Sequence, residues 1–141
     1  MSRTIPTRNI VKEVKEILDY AKIFNKIEIG QLKPLSEQNT FPSCYLKVDG
    51  TTADLNGNMG TEVGCEYNRG IILRIIMQIE LKDPLEFLDY QDKVESAILK
   101  DNPLWRIVLD RDFIGSEWDN DVSYPKKEGE VAFMLMWRSD V

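Results

Sequence analysis

Residues 71–81 alternate so regularly that they suit one structure, an extended strand with two unlike faces. Ile71, Leu73, Ile75, Met77, Ile79 and Leu81 fall on one side, while Arg74, Gln78 and Glu80 share the other with Ile72 and Ile76. The strand runs straight into Asp83-Pro84-Leu85-Glu86, which has the marks of a helix start: a capping carboxylate, proline at the first helical position and glutamate three residues after the cap. The spacing predicts a helix that buries Leu85, Leu88, Val94, Ala97 and Ile98. It should end near Asp101-Asn102-Pro103, where proline disfavours helical geometry in the residue before it.

The rest of the chain reads around this unit. Ile10, Val14, Ile17, Leu18 and Ala21 recur at helical spacing, predicting a first helix from about Thr7 to about Phe24. A short strand follows over residues 26–30, with Ile27 and Ile29 on one side, then a polar loop over 31–40. Residues 41–48 predict a second strand with Pro42 at its start, since proline cannot donate to a ladder. Residues 49–69 carry glycines and little periodicity, and read as one long loop, functional or mobile rather than a plain connection. Further strands are predicted over 105–114 and 129–138. The order helix-strand-strand-strand-helix-strand-strand predicts an α+β domain spanning residues 1–141, a mainly antiparallel sheet of about five strands with both helices packed on one face.

The last strand adds a requirement. Val131, Phe133, Leu135 and Trp137 form one apolar face, but Ala132, Met134 and Met136 make the other apolar as well. A strand with one wet face should alternate with polar residues. The second face is therefore expected to be covered, by the long loop or by another subunit, which makes Met134 and Met136 candidate interface residues.

Charge and composition remove several function classes. The formal net charge is −6, which argues against sequence-independent nucleic-acid binding, because that affinity comes from Lys and Arg neutralising phosphates. The chain has no histidine, the commonest general base and a common zinc ligand. Cys44, in a strand, and Cys65, in a loop, are expected to be reduced thiols of a protein made in a cytoplasm. No apolar run reaches secretory or membrane-spanning length.

Motifs that carry chemistry are incomplete. Asp54, Asn56 and Asn58 open like a calcium loop, but Met59 stands where the turn glycine belongs and Cys65 where the bidentate glutamate belongs, so the segment reads as a polar turn. Glu80-Leu81-Lys82 has the acidic-x-lysine form of metal-dependent nucleases. Such a site would need Asp110 or Asp112 as the second carboxylate. Asp110, Asp112, Glu117, Asp119 and Asp121 form an acidic region around Trp118, read as a solvated strand edge with a tryptophan able to anchor a contact. No residue set points to catalysis, a cofactor or a metal.

The element order, the strand opening Phe41-Pro42-Ser43-Cys44-Tyr45-Leu46, and the run from Gly70 through Asp83-Pro84 to Leu99 resemble the tail terminator (tail completion) proteins of long-tailed bacteriophages. The resemblance implies a structural virion protein, not an enzyme. Such a protein forms a ring, usually a hexamer, on the end of the tail tube, stops tube polymerisation and offers a surface to the head-tail connector protein. DNA passes through the lumen without tight binding. On this reading Met134, Met136 and Trp118 are candidate subunit-interface residues. Leu55, Asn56, Asn58 and Met59 are a candidate contact loop for the tail tube protein. Asp110, Asp112, Glu117, Asp119 and Asp121 are a candidate acidic lumen or edge. The alternatives are another neck or head-tail connector component, or a metal-dependent nuclease using Glu80, Lys82 and Asp110 or Asp112.

Overall fold

A computed structural model describes residues 7–31, 33–55, 66–100, 108, 110–119 and 125–140. The elements are α1 (Thr7–Ala21), β1 (Lys26–Ile29), a 3₁₀ turn (Leu35–Glu37), β2 (Ser43–Leu55), β3 (Glu66–Glu80), α2 (Glu86–Leu99), β4 (Asp110–Trp118) and β5 (Lys126–Asp140). The strands form one sheet in the order β1-β2-β3-β5-β4, parallel between β1 and β2 and antiparallel elsewhere. The α+β architecture expected from the sequence is the one observed. No helix among the described residues is long and apolar enough to cross a membrane.

β3 is the spine. It pairs with β2 from Ser43↔Gln78 to Leu55↔Tyr67 and with β5 from Glu80↔Lys126 to Glu66↔Asp140. Its apolar face is buried as the alternation requires, from Ile71 to Leu81. Val131, Phe133, Leu135 and Trp137 extend that face on β5, and Cys44 and Leu46 extend it on β2. Ile10, Val14 and Leu18 of α1 and Val94 and Ile98 of α2 pack on the same cluster, so both helices cover one side of the sheet. Burying each such side chain is worth roughly 1.5–3 kcal/mol before conformational entropy is set against it.

Element ends depart from the sequence reading for local reasons. α1 stops at Ala21 because Lys22 takes a left-handed φ of 56°, a helix-terminating conformation. Phe24, expected inside the helix, is buried beyond its end, its ring 6.3 Å from that of Tyr90. Both ends of the long loop expected over 49–69 are strand. β2 continues to Leu55 and β3 begins at Glu66. A register shift between Val48 and Gly50 breaks the alternation there, which hides the continuation from a two-residue period. A shift between Phe113 and Gly115 acts alike in β4, expected to end at Ile114 but running to Trp118.

α2 also begins later than its signals. The Asp83 carboxylate accepts the Leu85 N–H at 3.0 Å, and the Glu86 carboxylate accepts the Lys82 N–H at 2.7 Å. These carboxylates hold a tight turn ahead of the helix itself. Leu85 and Leu88, expected in the core, are 66% and 41% exposed. The inward face is instead Phe87, Tyr90, Val94, Ala97 and Ile98; Leu88 stands about 100° round the helix from Phe87. At the other end, the Arg111 guanidinium donates to the carbonyls of Ile98 (2.7 Å) and Lys100 (2.8 Å), groups the helix leaves unsatisfied.

Candidate functional site

The side of the sheet away from the helices carries five of the residues singled out in the sequence, Asp110, Asp112, Glu117, Met134 and Met136. It divides into three zones along the strands.

At the first end, the connection between the parallel strands β1 and β2 must cross a face of the sheet. Residues 33–40 lie over the second face, fixed by Gln78. That side chain is 1% exposed. Its amide nitrogen donates to the Lys33 carbonyl (2.9 Å) and to Glu128 (2.8 Å), and its amide oxygen accepts from Gln38 (2.9 Å). At this end the second face is thus covered by the 33–40 segment.

In the middle the face opens into a hollow of about 630 Å³, lined by Tyr45, Lys47, Arg74, Glu117, Glu128 and Glu130 among others. Arg74, on the central strand, reaches both neighbours: Nη1 to Glu130 on β5 at 2.9 Å and Nη2 to Asp49 on β2 at 3.1 Å. Hydrogen bonds to Glu130 and then Asp49 hold its guanidinium more firmly protonated than usual. Glu117 stands directly opposite Glu130, a like-charge pair that is unfavourable across an antiparallel ladder. Burial first, then Glu128 and Glu130, pushes the Tyr45 hydroxyl above its ordinary range. The hollow is acidic, and Arg74 offsets part of that charge.

At the far end the surface turns apolar. Ile72 pairs with Met134 and Gly70 with Met136. On the other side Asp112 pairs with Met134 and Asp110 with Met136. Two groups read separately in the sequence are therefore one patch, two half-buried methionines bordered by two exposed aspartates.

Other candidates fall elsewhere. Trp118 lies on the helix side. Its ring packs edge-on to Phe87 at 5.0 Å, and its Nε1–H donates to Gln91 at 2.9 Å. The indole is engaged within its own chain, which corrects its reading as an outward anchor. Asp119 follows β4 at the rim of the hollow, its carboxylate 3.9 Å from the Lys127 ammonium. Leu55 is the last residue of β2, its backbone paired with Tyr67. Asn56, Asn58, Met59, Cys65 and Asp121 lie outside the described residues.

The nuclease constellation does not assemble. Glu80 is opposite Lys126 at one end of β5, whereas Asp110 is opposite Met136 ten positions away, about 33 Å along the strand. Asp112, opposite Met134, is about 26 Å from the same end. Neither aspartate can share an ion with Glu80. Among the described residues no three acidic or thiol side chains are grouped to hold a metal. Cys44 is buried at the sheet–helix interface, and that burial, with Asp19 nearby, raises its thiol far above the reactive range.

The centre of the hollow is what sequence reasoning misses. Asp49 falls in the segment read as a loop, and no local pattern marks Glu128 or Glu130. The signal that could find them is Arg74 and Gln78, two polar residues four apart on one face within the otherwise apolar run 71–79. No family model matches the chain, and no curated protein is detectably similar to it.

Proposed function

We propose that this chain is a structural subunit of a bacteriophage tail neck, a tail terminator that forms a ring on the end of the tail tube and acts by surface complementarity. The reading rests on the resemblance in element order. The observation that carries it further is the second face of the sheet, where an acidic hollow adjoins a half-buried methionine patch with no layer over it among the described residues. A methionine patch bordered by aspartates suits a contact with another subunit, since methionine adapts its shape to its neighbour. A carboxylate-rich surface repels phosphate, so it would let DNA pass without holding it.

The test is to add the purified protein to growing tail tubes and follow tube length and tube ends by electron microscopy. Growth should stop, with one ring at the capped end, and Met134→Asp or Met136→Asp should abolish capping while leaving the chain folded. Tubes that elongate normally, with no protein at their ends, would overturn the reading.

A further inference from the structure

The second face of the sheet is covered at one end, and the rest of it is shaped as a track along β5. At the Gln78 end the 33–40 segment already lies on this face, held by a side-chain amide and a backbone carbonyl. Glu128 marks the boundary, since it bonds Gln78 and also lines the acidic hollow. A smaller hollow of about 160 Å³ between Arg74, Ile114 and Ala132 continues the first, sharing Arg74, Glu117 and Glu130 with it. Past Ala132 the floor is Met134 and Met136, with Ile72 of β3 level with Met134.

The charge along this track is one-sided. Glu117, Asp112 and Asp110 stand on the β4 margin, level with Glu130, Met134 and Met136. Asp112 and Asp110 are thus about 13 Å and about 20 Å along the strand from Glu117. All three are exposed, and none makes an ion pair among the described residues. Arg74 is already held between Asp49 and Glu130. Glu117 faces Glu130 across the ladder, a repulsion that a cation set beside them would relieve.

An acidic rail beside an apolar floor disfavours DNA and anionic membranes, and at a net charge of −6 it disfavours a second copy of this chain. It favours apolar side chains flanked by lysine or arginine. Methionine suits the floor of such a site, because its flexible side chain reshapes to the occupant. The 33–40 segment shows the mode, a stretch of chain laid on this same face and fixed by polar side chains.

We infer that the track over Met134 and Met136, with its rail of Asp110, Asp112 and Glu117, is a docking groove for a basic, apolar segment of a different protein. The segment continues the layer that residues 33–40 begin, its apolar side chains on the methionines and its cations at the rail. The inference names a partner's chemistry and stands whether or not the chain caps a tail tube.

The test uses the full chain, with displayed random peptides of about 12 residues as the probe. Selection on the wild type should enrich peptides that combine lysine or arginine with leucine, isoleucine, phenylalanine or methionine. One selected peptide is then titrated into protein with methyl-labelled methionine and followed by NMR. The Met134 and Met136 methyls should shift saturably, while Met77, buried in the core, stays still. Glu117→Lys and Asp112→Lys, both at exposed positions, should keep the wild-type circular dichroism spectrum. Each should weaken the complex by about tenfold, and added salt should weaken it as well.

No enrichment, enrichment of acidic or uncharged peptides, unmoved Met134 and Met136 methyls, or full affinity in both variants would each overturn the inference. Methyl shifts that grow with protein concentration alone would give the face to a second copy. The same shifts with a DNA oligonucleotide would give it to nucleic acid, and either result overturns the inference. Peptide docking without tube capping would uphold the groove and sink the tail reading alone. Tube capping by a chain that captures no such peptide would sink the groove alone.

Discussion

The indole of Trp118 lies directly over Gly129, its register partner on β5, in the space a β-carbon at position 129 would occupy. Glycine is required there by the ring rather than by its own backbone. Gly129→Ala should cost about 1–3 kcal/mol by overpacking, and Trp118→Ala about 3 kcal/mol through lost contact with Phe87 and Gln91. The double variant should cost clearly less than the sum, since the new methyl no longer meets a ring. Urea unfolding of the three proteins checks this, and strict additivity would contradict the contact.

Gln78→Ala should destabilise by about 2–3 kcal/mol, because it strands the Lys33 carbonyl and the Gln38 amide in a buried site. The loss should appear locally as faster amide exchange over residues 33–40.

Gln78→Glu places a carboxyl group in the same buried position beside Glu128. Burial and the like charge raise its folded pKa above the unfolded value, so the folded state favours the protonated form. Stability relative to wild type should therefore be best at acid pH and fall as pH rises past about 4.3. A variant equally destabilised at pH 4 and pH 7, in roughly that window, would show that the group faces water.

Arg74→Met should cost about 0.5–1.5 kcal/mol, a modest figure because Asp49 and Glu130 remain 39% and 26% exposed. The gap from wild type should narrow in about 1 M salt, where the screening length falls to about 3 Å. Denaturant midpoints at low and high salt measure it.

Cys44 supplies a pH dependence at the alkaline end. Its folded thiol titrates well above 9.0, the ordinary value for the group, so above that pH the unfolded chain releases a proton that the folded chain keeps. The wild type should lose stability relative to Cys44→Ala as pH rises past about 9. Parallel stability curves for the two proteins between pH 8 and pH 10, a span of roughly one unit either side of an ordinary thiol, would contradict the burial.

Regular alternation makes β3 and the core face of β5 legible in the sequence, because burial on one side enforces a two-residue period on both strands. The period fails where the register shifts at Asp49 and Ile114, and there the sequence reading stops β2 and β4 short. The Asp83-Pro84-Leu85-Glu86 signal marks the right turn but not the inward face of α2, since capping residues carry no information about which side of a helix meets the sheet. The acidic hollow is not legible. It is assembled by Arg74 reaching diagonally to strands that are distant in sequence, and no local pattern records a cross-strand diagonal.

The pairing of β3 with β5 sets the order in which the molecule can be made. Glu80 and Lys126 are its nearest partners in sequence, and Glu66 and Asp140 its furthest. α2 and β4 must both leave the ribosome before the spine acquires its second neighbour. Throughout that interval β3 shows an apolar strand with one side unpaired, the kind of edge that recruits other chains. Translation that stalls within α2 or β4 should therefore leave a nascent chain dependent on chaperones, and the arrival of β5 ends that exposure.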